Sequence, residues 1–148
     1  MKRILLLLLL CLGLISFAQT TWTGAGTNSN WNNTANWSTN LVPTALDDAI
    51  IPGGSSVIIN VSSFVKSIVL QSTSTITMNQ SLSFTNASSF SANTTVNWNT
   101  GSLYGGGTLT NNGSIIMNTA SSRYISGATT LINNGTLTMP DGGYFYLY

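Results

Sequence analysis

The chain has 148 residues, of which 5% are charged, with no His and a single Cys, Cys11. Past residue 18 the charged side chains are Lys66, Arg123, Asp47, Asp48 and Asp141, so there is no basic stripe for a phosphate backbone and no thiol pair for a disulfide. Low charge combined with short periodic runs of Ile, Val, Thr, Phe and Tyr excludes a disordered polar chain and points to ordered β structure.

Lys2 and Arg3 precede an apolar run from Ile4 to Ile15, and Ser16-Phe17-Ala18 has the small-x-small pattern of a cleavage site. Residues 1–18 read as a secretory signal peptide, since the run falls short of the roughly 20 residues that cross a bilayer. Leu10 is too large to precede a lipidated Cys11. The expected mature chain has no membrane span and is secreted or held at the cell surface.

Residues 19–54 form the next unit. Trp22, Trp31 and Trp37 lie here among Gly, Asn and Thr. The open end of a stack of strands needs covering, and three large apolar rings suit a lid over the first rung. The alternative role for the same three residues is sugar stacking. Asp47 and Asp48 follow the Val42-Pro43 turn. Two carboxylates fall far short of the 6–8 oxygens that Ca²⁺ takes, so capping of local N–H groups is the expected role, and no metal site or cofactor is expected. The pattern Trp22-x-Gly24, Trp31, Asn36-Trp37, Pro43, Asp47-Asp48-x-x-Ile51-Pro52 resembles the N-terminal cap of β-helical surface and secreted bacterial proteins, including autotransporter-passenger-like repeats and proteins exported by type IX secretion. The resemblance implies a right-handed parallel β-helix outside the cell and carries over no catalytic residue.

From residue 55 to 148 short strands succeed one another. Runs at 56–61, 67–70, 75–78, 82–84 and 90–92 alternate with period two, which points Ile68 and Leu70, Ile76 and Met78, and Leu82 and Phe84 inward. A shift of 14 lays Ile68 on Leu82, Leu70 on Phe84 and Ile76 on Phe90; a shift of 25 lays Phe84 on Leu109 and Phe90 on Ile115. The sharpest repeat is at 22: Gly105/Gly127, Thr108/Thr130, Leu109/Leu131, Asn111/Asn133, Asn112/Asn134, Gly113/Gly135 and Met117/Met139 are identical. A recurring turn in step with β-formers marks a solenoid. Asn111, Asn112, Gly113, Asn133, Asn134 and Gly135 are the expected corners, with left-handed backbone and amides bonded along the stack. An antiparallel β-sandwich is the alternative, because Asn-Gly also closes hairpins. The chain finishes on Tyr144, Phe145, Tyr146, Leu147 and Tyr148, a strand with no polar cap. The expectation is a truncated solenoid, or self-association through that edge.

Catalysis needs two titratable groups in reach of one bond. Arg123 and Asp141 are close enough in sequence to meet as an ordinary surface pair on adjacent coils. No acid–base pair stands out, so the expected function is a non-catalytic extracellular structural or adhesion module. The alternative is a carbohydrate-binding module, or the N-terminal part of a β-helical polysaccharide-degrading enzyme. Surface glycans are the expected partners, and nucleic acid is not.

Overall fold

A computed structural model describes residues 19–148. The signal-peptide assignment lies outside the described residues.

Five successive coils each contribute one strand to each of three sheets. The first coil comprises β2 (Asp48–Ile51), β3 (Ser56–Ile59) and β4 (Ser63–Val65). The second has β5 (Ser67–Leu70), β6 (Thr75–Met78) and β7 (Leu82–Phe84), and the third β8 (Ser88–Phe90), β9 (Thr95–Trp98) and β10 (Ser102–Tyr104). The fourth has β11 (Thr108–Asn111), β12 (Ser114–Met117) and β13 (Arg123–Ile125), and the fifth β14 (Thr130–Asn133), β15 (Thr136–Thr138) and β16 (Phe145–Leu147). A preceding strand, β1 (Gln19–Thr21), adds to β2.

The first sheet runs β1-β2-β5-β8-β11-β14, the second β3-β6-β9-β12-β15 and the third β4-β7-β10-β13-β16. Every strand ladder is parallel, which rules out the antiparallel sandwich. Parallel neighbours require a crossover, and here the crossover is the rest of the coil rather than a helix.

Alternation decides which side chains enter the core. Val57, Ile76, Val96 and Ile115 form one buried column of the second sheet, and Ile59, Met78, Trp98 and Met117 the other. Each fully buried side chain of this kind contributes about 1.5–3 kcal/mol. Trp98, which no sequence motif singled out, is the largest side chain of its column and donates from Nε1 to the Gly101 carbonyl at 3.0 Å.

Three sequence expectations change. The coils begin at β2, before residue 55, because Asp48–Ile51 pairs in full with Ser67–Leu70. The strand expected at 90–92 lies at 88–90, and 63–65 and 95–98 are further strands. The shifts of 14 and 25 are not registers. Ile76 pairs with Val96, Leu82 with Leu103 and Phe90 with Asn111, steps of 20, 21 and 21. The shift of 14 slid one sheet onto another, because strands of all three sheets alternate apolar and polar residues alike. The 22-residue register stands, with Leu109 on Leu131 and Asn111 on Asn133.

Candidate functional site

The tryptophans close the N-terminal end of the stack. The Trp22 and Trp31 backbone N–H groups donate to the Ile50 and Ile58 carbonyls, each at 2.8 Å, so the segment continues the ladder above β2 and β3. Trp37 lies edge-on to both partners, with ring centroids 5.2 Å from Trp22 and 4.7 Å from Trp31, and its Nε1 donates to the Trp31 carbonyl at 2.8 Å. A short 3-10 helix, Thr34–Asn36, is capped by Asn33 and carries the buried Asn36. The Asn36 amide receives Gly26 N–H and donates to the Asn28 and Asn30 carbonyls, which ties the loop down. Trp22, Trp31 and Trp37 are 4%, 0% and 1% exposed, so none offers a ring face to a sugar. The rings form a structural cap on the solenoid. Trp31 Nε1 is buried and has no acceptor among the described residues, a cost of about 1–3 kcal/mol.

The Asn-Gly corners are built differently from the expectation. Asn111, Asn112, Asn133 and Asn134 stack in register: Asn111 Nδ2 donates to Asn133 Oδ1 at 2.7 Å and Asn134 Nδ2 to Asn112 Oδ1 at 3.1 Å. Yet neither Gly113 nor Gly135 has positive φ, and the left-handed residues at the equivalent corner are Gly54, Thr73 and Asn93 of the earlier coils. Those corners span several residues, whereas β11 passes to β12 through Asn112-Gly113 alone. The shortened corner draws the backbones together. A Cβ on Gly113 would sit 2.2 Å from Thr94 Oγ1, and one on Gly135 would sit 2.0 Å from the Gly113 carbonyl oxygen. Close approach, not φ, demands glycine here. Asn111 takes over the lost turn bonding, accepting from Gly113 N–H and donating to the Gly113 carbonyl.

Asp47 caps a turn, accepting from Thr44 N–H at 2.9 Å and Thr44 Oγ1 at 2.7 Å. Asp48 sits in β2 and meets Lys66 Nζ at 2.9 Å and Ser67 Oγ at 2.6 Å. Burial works to raise the Asp48 carboxyl, but the Lys66 and Ser67 hydrogen bonds and the Lys66 charge outweigh it and hold it below its ordinary value.

Arg123 does not pair with Asp141. It is 1% exposed and stands in the register position that Gly101 occupies one coil earlier, under the longer loop 118–122. Its Nε donates to the Trp98 carbonyl at 3.1 Å, its Nη1 to the Ser121 and Ser122 carbonyls, each at 3.1 Å, and its Nη2 to the Asn99 carbonyl. Burial lowers its pKa from the ordinary value. A planar fork of donors suits four carbonyls aimed at one point. Nothing in the sequence signals this role, because a lone Arg after Ser-Ser reads as surface.

Among the described residues no group of three or more Asp, Glu, His or Cys comes together to hold a metal, and no helix is long and apolar enough to cross a membrane. Fold and corners together define the chain as a three-sided parallel β-solenoid with a tryptophan cap. Comparison with family models, with curated proteins and with solved structures found nothing that matches it.

Proposed function

We propose that this chain is a non-catalytic structural and adhesive module working outside the cell or on its surface. The observation that supports it is the column Ser56, Thr75, Thr95, Ser114, Thr136, which runs in register along the outside of the second sheet. Amides continue the pattern, with Asn118 Nδ2 donating to Asn99 Oδ1 at 2.9 Å and Asn99 Nδ2 to Asn79 Oδ1 at 2.8 Å. Such a surface is solvated by hydroxyls and amides instead of charges, on a backbone bonded from coil to coil. That combination suits a stiff spacer that makes polar contacts by shape.

An antibody against the full chain should label intact cells of the source organism, or find the protein in the medium. Deleting the gene should reduce attachment of those cells to a surface. Recovery from the cytoplasm alone, or unchanged attachment, overturns the proposal.

A further inference from the structure

The outward face of the third sheet is unlike the other two. Phe64, Tyr104, Tyr124, Tyr144, Tyr146 and Tyr148 gather on it, and its strands carry one charged residue, Arg123, which points inward and is buried. At the usual strand spacing of about 4.8 Å, the face is about 19 Å long from β4 to β16. Near one end Phe64 and Tyr104 meet edge-to-face at 6.1 Å, over a Ser83 that is in register with both and only 6% exposed.

At the other end four tyrosine rings lie nearly parallel. Tyr124 is 5.4 Å from Tyr146 at 14° and 6.2 Å from Tyr148 at 21°, while Tyr146 is 6.3 Å from Tyr144 and 6.0 Å from Tyr148. Tyr144 and Tyr148 remain 61% and 75% exposed. Aromatic area left this open, in a cluster of four tyrosines with the Phe64–Tyr104 pair farther along the same face, marks an interaction surface. The strip lies on the outward face of the third sheet.

We propose that this strip binds a neutral polysaccharide chain laid along the solenoid axis. The proposal rests on the adhesive reading and names its ligand. A sugar ring has C–H faces that stack on aromatic rings and hydroxyls that bond to tyrosine O–H and serine, matching a surface that is apolar in body and polar at its tips. The charge balance selects among other ligands with flat or apolar parts. Stacked nucleic-acid bases also suit tyrosine, but their phosphates need cations, and the Lys66 ammonium is held by Asp48 of the first sheet. An acidic polysaccharide lacks a cationic partner here for the same reason. A membrane surface needs a continuous aliphatic anchor, and this strip is interrupted by Ser81, Ser83 and Ser102.

The test is retention of the full chain on insoluble cellulose, chitin, β-1,3-glucan and starch, against alginate, single-stranded DNA and phosphatidylcholine vesicles. At least one neutral glycan should retain it. Tyr124→Ala and Tyr146→Ala should each weaken that retention about tenfold. Thr77→Ala, on the second sheet, should leave it unchanged. Wild-type chain bound to the glycan should also show Tyr124 and Tyr146 protected from nitration, a reading that needs no variant. Retention by none of the four glycans, retention only on the charged or lipid probes, or nitration unaffected by the glycan each overturns the inference. Surface labelling without glycan retention removes the ligand and spares the adhesive reading; glycan retention by a cytoplasmic protein does the reverse.

Discussion

Asn111 Nδ2 donates to Asn133 Oδ1 across 2.7 Å, from a side chain with no exposed surface to one on the coil beyond it. The same amide accepts from Gly113 N–H, so a single residue closes its own corner and joins two coils. Asn111→Ala should cost about 1–3 kcal/mol in urea unfolding, the desolvation left when a buried donor loses its partner. Asn111→Asp should be at least as damaging, because a carboxylate there faces the Asn133 Oδ1 and the Gly113 carbonyl without a proton to offer. Wild-type stability in Asn111→Ala would disprove the amide's role.

The two corner glycines should separate by the atoms they approach. Gly113→Ala meets the Thr94 hydroxyl first, and Gly135→Ala meets a backbone carbonyl. Both should lose roughly 1–3 kcal/mol or more. Adding Thr94→Ala should recover part of the loss at Gly113 and none at Gly135, measured as a double-mutant cycle. Equal recovery at both would show that the loss arises elsewhere.

Arg123→Met removes the donor for carbonyls in two successive coils. Unfolding stability should fall by about 3 kcal/mol, since hydrogen bonds to charged groups are worth about 1.5–3 kcal/mol each. Arg123→Lys should not restore it, because an ammonium cannot reach carbonyls on both sides as a fork does. Full stability in Arg123→Lys would mean that charge alone matters.

Acid should act through Asp48. Its carboxyl lies below the ordinary value in the folded chain. The stability it contributes is therefore complete above the unfolded value of about 3.9 and disappears as pH falls through the lower folded value. With side chains 26% and 34% exposed, the Lys66–Asp48 pair should give less than about 1 kcal/mol. Asp48→Asn should flatten the melting temperature below pH 4, and between pH 5 and 8 the wild type, which has no His, should hardly vary. A steep loss between pH 6 and 7 would contradict this.

The repeat between the fourth and fifth coils was legible because both have the same corner, Asn-Asn-Gly, and therefore the same length. In the first three coils that corner spans four residues each time, and the turn from the third sheet back to the first grows from one residue at 66 to three at 85–87 and 105–107, so the registers of 19 to 21 residues drift from coil to coil although the stack itself is continuous. Backbone hydrogen bonds set the register strand by strand, and a corner absorbs an added or missing residue without disturbing it.

The amino-acid order by itself determined short strands with inward alternation and the place of the two Asn-Asn-Gly corners, and it favoured a solenoid over a sandwich and a tryptophan lid over a sugar site, since these follow from local side-chain pattern and turn chemistry. Only the tertiary structure decided that Gly113 and Gly135 answer to crowding between coils, that Arg123 is buried among carbonyls, and that tyrosines distant in sequence share one face. Each of these depends on which strand lies above which, a relation between residues about twenty apart that no local window contains.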